Sequence, residues 1–154
     1  MSEAELQANI AQYLCLQYPD VLFHSDYGSG VKLTPWQAKM QRIQSGGRRG
    51  WPDLLIAEPA PRCIDGSWDY EWHGLFLELK KEGTRLKKKN GAWASEHIAE
   101  QANVLKELKG KGYKAEFAVG FDQATQIIDE YLSLRRSKWL GLKKVAGVLL
   151  RLTS

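Results

Sequence analysis

The residues of this chain best placed to do chemistry are Asp53, directly after Pro52, and the pair Glu78 and Lys80, which flank Leu79. In Leu77-Glu78-Leu79-Lys80, alternation across a strand sends the two leucines to one side and the carboxylate and ammonium to the other. Charges on an otherwise apolar strand are costly to bury unless they are paired or bound to a metal. On this strand alone an ion pair at the strand end is the simpler reading. Asp53 changes the weighting. It opens the apolar run Asp53-Leu54-Leu55-Ile56-Ala57, so if the two runs are neighbouring strands its carboxylate converges with that of Glu78. Two hard oxygen ligands, with room left for water and phosphate, suit Mg²⁺ or Mn²⁺. Such a cation activates water and polarises a phosphodiester. Lys80, on the same face, can orient or deprotonate that water and offset developing negative charge. A lone Asp or a lone Glu-x-Lys is weak; Pro-Asp followed by Glu-x-Lys on successive apolar runs says more.

Two polar residues fall where a helix would turn them toward this centre. Gln101 lies three residues after Ile98 and four before Leu105, on or beside an apolar face, where its amide must find a partner. That partner is either a strand end or the chemistry itself. Glu3 lies three and seven residues before Leu6 and Ile10, near the packed face of the first helix. It reads either as a further acid of the site or as a charge at the helix start. Glu5 points elsewhere on the helix and reads as solvated.

The elements that must position these residues follow from periodicity. Leu6, Ile10, Ala11 and Leu14 make an amphipathic helix from Glu3 to Gln17, with Ser2 as N-cap and Pro19 as stop. Val21-Leu22-Phe23 reads as a short strand, Gly28-Ser29-Gly30 as a turn and Pro35 to Gln44 as a second helix. A glycine-rich basic loop, residues 45–50, leads into the Asp53 strand. Pro59, Pro61 and Asp65-Gly66 read as a connection to the strand Leu75–Leu79, with a hairpin-like return between the two strands. Lys81 to Ala94 reads as an exposed excursion. A helix follows from the Ser95 cap to about Lys109, with Ile98, Ala102, Leu105 and Leu108 inward. Then come a strand over Ala115–Gly120 and a helix from Asp122 to Leu134 with Ala124, Ile127, Ile128 and Tyr131 inward. The fold class is therefore α/β, a mixed central sheet flanked by helices.

Length and charge bound the partners. The chain has 154 residues, enough for one domain with a core. It has no apolar run long enough to cross a bilayer, and its acidic, polar start argues against a secretory signal. Cys15 and Cys63 are far apart without metal or redox spacing and read as reduced thiols, so the expectation is an intracellular, cytoplasmic protein without a membrane partner. Net charge is +4, a modest excess, but its distribution is uneven. Lys80, Lys81, Arg85, Lys87, Lys88 and Lys89 stand against Glu82 alone, and no acid follows Tyr131. Clustered positive charge suits a polyanion, although lysine also simply keeps a face solvated. Arg48 and Arg49 precede Asp53 closely enough to read as phosphate contacts. His24, His73 and His97 lack zinc-ligand spacing. Trp93, beside the lysine run, reads as core or as a stacking platform for an unpaired base.

Taken in order, Glu3-Ala4-Glu5-Leu6-Gln7, Gly50-Trp51-Pro52-Asp53-Leu54, Glu78-Leu79-Lys80, Gly83, Gln101 and Gly112-Tyr113 resemble the VRR-NUC domain. That is the virus-type replication-repair nuclease branch of the PD-(D/E)xK superfamily. The resemblance covers Glu3 to about Leu132. It implies a restriction-endonuclease-like αβββαβ core and an Mg²⁺- or Mn²⁺-dependent endonuclease. Asp53, Glu78 and the Leu79 carbonyl would hold metal. Lys80 would be the catalytic lysine, Glu3 the helix-one acid, and Gln101 the glutamine of the following helix. Arg48, Arg49, Lys81, Arg85, Lys87, Lys88 and Lys89 are then the expected DNA contacts. The stand-alone size resembles phage-encoded members, which are similar to Holliday-junction resolvases and act as homodimers on branched, four-way DNA. Residues 1–134 would form the nuclease domain and 135–154 a basic extension of it. The stretch Leu86 to Ser95 is longer than the family pattern. A sequence-specific, restriction-like duplex nuclease and a non-catalytic nucleic-acid-binding module of the same fold are the other readings.

Overall fold

Ser2 opens the first helix by accepting from the Glu5 backbone N–H, while the Glu5 carboxylate accepts from the Ser2 N–H at 2.7 Å. This reciprocal capping box satisfies helix-end donors that would otherwise be orphaned and fixes α1 as Glu3–Gln17. The structure is a computed structural model describing residues 1–26, 34–47, 49–64 and 66–134; the side chains of residues 41, 63, 64 and 67–70 also fall outside the description. The turn expected at 28–30, Arg48 and the basic extension 135–154 lie outside the described residues.

After α1 come β1 (Phe23–Ser25), α2 (Pro35–Gln44), β2 (Leu54–Ile56), β3 (Ala60–Ile64), β4 (Ser67–Trp72), β5 (Leu75–Lys80), α3 (Glu96–Gly110) and β6 (Lys114–Val119). A last helix, α4, spans residues 121–134. The central sheet runs β1-β2-β5-β6. Its first three strands are antiparallel, and β6 lies parallel to β5 through the α3 crossover. The sheet is therefore mixed and flanked by helices, as expected, with αβββαβ as its core order.

Strand alternation divides the core in two. Leu54, Ile56, Leu75, Leu77, Leu79 and Ala118 face α1 and α4, where they meet Leu6, Ile10, Leu14, Ile128 and Tyr131. Phe76 and Ala115 face the other way, onto Val104, Leu105 and Leu108 of α3. Two helix stripes are rotated slightly from expectation. Gln7 is buried rather than Ala11, and Val104 is buried where Ala102 is only half-covered, because each helix presents its broader residues to the sheet.

The connection between β2 and β5 is more ordered than its prolines suggest. It folds into the two-stranded hairpin β3-β4, with Pro61 opposite Glu71 and a register shift between Arg62 and Ile64. Proline is tolerated in a strand with a free edge. The Arg62 guanidinium sits 4.0 Å from the Trp72 ring centre. The first strand also lies two residues later than expected, because β2 ends at Ile56 and the register pairs it with Phe23. The excursion after β5 contains a small bridged turn, with Lys87 opposite Trp93 and Ala94 N–H donating to the Leu86 carbonyl at 2.9 Å.

Candidate active site

In the β2–β5 ladder Leu54 pairs with Leu77. One residue beyond the paired run, the same register sets Asp53 opposite Glu78. Both then project from the α3 side of the sheet, as do Leu55 and Phe76. Lys80, two residues on, shares that side. The sequence thus places two acids and a lysine at one end of a buried strand pair, and the apolar residues between them hold the register.

Each side chain is fixed by a specific contact. Asp53 Oδ2 accepts from the Leu79 backbone N–H at 2.8 Å. Lys80 Nζ lies 2.8 Å from Glu78 Oε1 and 3.8 Å from Glu3 Oε1. The Gln101 side-chain amide of α3 donates to the same Glu78 oxygen. Glu78 is 1% exposed and Lys80 6%, so this cluster is nearly dry. The structure therefore brings Glu3, Asp53, Glu78, Lys80 and Gln101 together. It also separates the two acids of α1: Glu5 closes the capping box, and Glu3 reaches round the strand end to Lys80.

Electrostatics follow from burial. Burial, reinforced by the neighbouring Asp53 carboxylate, pushes Glu78 up to about 8 against the opposing pull of Lys80. Burial also raises Asp53, offset in part by the Leu79 N–H and Lys80. Glu78 Oε2 and Gln101 Oε1 are buried with no hydrogen-bond donor. An orphaned buried acceptor costs about 1–3 kcal/mol. Raised to about 8, the Glu78 carboxyl keeps its proton near neutral pH and shares it with the neighbouring Asp53 carboxylate, a proton that a bound cation would displace. Among the described residues no three His, Cys, Asp or Glu side chains converge on a single point. The described residues thus bring together two carboxylates, which would leave the remaining positions of a cation to water and phosphate. That donor set fits Mg²⁺ or Mn²⁺ and does not fit a zinc cage.

Two supporting residues lie outside the expected site. Gln7, buried on α1, donates its side-chain amide to the Asp26 carbonyl and to the Asp53 carbonyl at 3.3 Å. Asp26 N–H donates to the same Asp53 carbonyl at 2.9 Å. Gln7 thus pins the start of β2, and with it the Asp53 backbone. Its position within the Leu6–Ile10–Leu14 stripe was the available signal, the same one that singles out Gln101. Gly50 is the second. Its φ is +78°, and a Cβ there would come within 3.0 Å of the Gln101 backbone nitrogen. Only glycine lets the loop before Asp53 lie directly on α3 at the residue that holds Glu78.

The expected DNA contacts are Arg49, Lys81, Arg85, Lys87, Lys88 and Lys89, all exposed. Lys81 immediately follows the site. Lys87 Nζ lies 4.9 Å from the Trp93 ring centre, and Trp93 packs on Phe117 at 5.8 Å. Trp93 is therefore half-buried and already covered by Lys87, which favours its packing role over an open base platform. Cys15 is a free, exposed thiol. No helix is long and apolar enough to cross a membrane among the described residues.

Comparison with known proteins bears on the fold. No family model matches the chain, and no curated protein does. A solved structure described as a "VRR_NUC domain protein" is similar over 87% of this chain and 90% of that one, with a TM-score of 0.56 and 24% sequence identity. The chain therefore has the fold that its motifs resemble, spread over nearly its whole length.

Proposed function

We propose that this chain is a divalent-metal-dependent nuclease that hydrolyses DNA phosphodiesters, with Asp53, Glu78 and Lys80 at its centre. One observation carries the reading. Glu78 is almost fully buried beside Asp53, close enough for the two carboxyls to share a proton, while Lys80 and Gln101 both hold its Oε1. The similarity to a VRR_NUC domain protein supports the same reading from the fold.

Asp53, Glu78 and the Leu79 carbonyl would hold the cation, which supplies charge neutralisation at the phosphate and activation of water. The chain's own groups do the rest. The Leu79 N–H fixes Asp53 Oδ2, so this carboxylate needs no reorientation. Gln101 and Lys80 fix Glu78 Oε1 and leave Oε2 available. Lys80 Nζ, held between Glu78 and Glu3, is placed to orient the attacking water and to offset charge on the phosphate oxygens. The exposed lysines that follow β5 would hold the strand by its backbone, which positions DNA without reading its sequence.

The finer proposal is branched DNA cut by a homodimer. A four-way junction has two-fold symmetry, so paired cuts call for two centres related by the same axis. The test is a cleavage panel of four-way, flap, nicked and plain duplex DNA with Mg²⁺ or Mn²⁺, run beside Asp53→Ala and Lys80→Ala. The expected result is metal-dependent cleavage that prefers branches and falls at least about a hundredfold in either variant. Fixed-site cuts in plain duplex would instead favour a restriction-like enzyme, and DNA binding without cleavage under either metal would sink the nuclease reading. Sedimentation of a strict monomer at micromolar concentration would remove the dimer.

A further inference from the structure

The helix α2 is built to persist and yet packs on almost nothing among the described residues. At its start Thr34 Oγ1 accepts from Gln37 N–H at 3.3 Å while the Gln37 side chain accepts from Thr34 N–H at 2.9 Å. At its end Gly46 N–H donates to Ile43 and Gly47 N–H to Arg42, at 3.0 and 2.7 Å. Gly47, at φ +76°, takes a backbone conformation that other residues resist. Among its described side chains, all but that of Met40 are exposed. Isolated helices of such length are marginal in water, so caps alone leave this one weakly held.

Its exposed surface is patterned. Trp36, Met40 and Ile43 fall at i, i+4 and i+7, on one stripe, with Trp36 69% and Ile43 60% exposed. Lys39 and Arg42 flank that stripe on one side. From Thr34 to Trp51 the sequence contains no acid. The helix is also tied to the proposed centre. Trp51 Nε1 donates to the Ser45 carbonyl at 3.1 Å, and Gly50 lies on α3 at Gln101, the partner of Glu78.

We propose that α2 is a DNA-docking element, its Trp36–Ile43 stripe engaging bases or sugars exposed at unpaired or distorted positions, and Lys39 and Arg42 the adjoining phosphates. The proposal rests on the nuclease reading for its substrate. Charge selects the occupant: a surface with bases and no acids complements a polyanion. A second copy docked through the same helix would bring Lys39 and Arg42 of one copy toward those of the other, since a two-fold contact pairs a patch with itself. Exposed aromatic and aliphatic side chains beside cations suit unstacked bases, which every nucleotide offers regardless of sequence. The stripe would then make the enzyme choose branched over plain duplex DNA.

Fluorescence anisotropy of the full chain in EDTA, with labelled single-stranded, forked and plain duplex DNA, tests this. Trp36→Ala/Ile43→Ala alters only exposed side chains. It is expected to weaken single-stranded and forked DNA about tenfold or more and plain duplex less than about twofold. Lys39→Gln/Arg42→Gln is expected to weaken all three and to lower the salt dependence by about two charges. Wild-type affinity of the Trp36→Ala/Ile43→Ala protein for forked DNA overturns the proposal. So does a fall in its sedimenting mass, which would make the stripe a contact between copies. A parallel incubation with Mg²⁺ keeps the two readings apart: binding that depends on α2 without any cleavage refutes the nuclease and leaves the docking element standing.

Discussion

Glu78→Gln is expected to stabilise the metal-free protein at alkaline pH relative to wild type while abolishing its activity. Burial and Asp53 push the Glu78 carboxyl from an ordinary 4.5 to about 8. A carboxyl with a higher pKa folded than unfolded binds more protons in the folded state, so stability falls as pH rises. The loss begins near the unfolded value, runs through the interval up to about 8, and levels off above it. Between about pH 5 and about pH 9 these two values give a loss of about 4 kcal/mol, a large share of the stability of a small domain. Glutamine keeps an oxygen for the Gln101 amide but has no proton to lose, so its stability lacks that slope. The attraction of Lys80 exists only while Glu78 is ionised and is already contained in the raised value, so it adds no separate slope. Urea unfolding followed by tryptophan fluorescence, in EDTA at several pH values, measures the difference between the two proteins. A wild-type-minus-variant difference that stays flat within about 1 kcal/mol would refute the claim that Glu78 is buried against Asp53.

Other expectations follow from the same geometry. Saturating Mg²⁺ or Mn²⁺, at about a hundred times Kd, should raise wild-type stability by about 3 kcal/mol and leave Asp53→Ala unmoved in the same thermal scan. Gln7→Leu keeps the packing volume but removes one of the two donors at the Asp53 carbonyl, leaving Asp26 N–H; cleavage should fall about tenfold with Tm little changed, and full activity would show that Gln7 positions nothing. Gly50→Ala forces a left-handed backbone and a 3.0 Å approach to α3, and should cost about 1–3 kcal/mol in denaturant unfolding. Ile10→Ala, fully buried on α1, should cost about 2–5 kcal/mol in the same assay and serves as the core reference.

Much of this fold was legible because local and tertiary signals agree. Ser2, Glu5 and the Leu6–Ile10–Leu14 stripe specify α1 to the residue. Ser95 caps α3 as its hydroxyl suggests, accepting from Ile98 N–H at 3.2 Å. The hairpin β3-β4 was not legible, because Pro59 and Pro61 read as breakers. The Asp65-Gly66 turn and the alternating Trp68, Tyr70 and Trp72 carried the opposite signal. Strand pairing decided between them, since an unattached edge tolerates proline. Residue types alone also left Glu3 and Glu5 open. Both are acids in the first turn of α1, and only tertiary structure, by placing Lys80 next to one of them, tells a cap from a site residue.

The meeting of Asp53 and Glu78 was legible for a deeper reason, which also limits what mutation can do to it. Asp53 and Glu78 meet because Leu54 and Ile56 pair with Leu77 and Leu75 on the face toward α1 and α4. The same alternation that buries those four residues turns the acids to the α3 side. A slip of one residue between β2 and β5 would move Asp53 away from Glu78, and turning β5 over would bury Glu78 and Lys80 in the larger core without Gln101. The core therefore enforces the spacing of the acids. Gln7 and Gly50 add only the last adjustment, one at the Asp53 backbone and one at α3. Substitutions that respect the apolar pattern should leave the acids facing each other even where they lower stability. Changes at Gln7, Gly50 or Gln101 should detune the centre while the sheet survives. That separation of stability from activity is what a site assembled on strand register, rather than on loops, is expected to show.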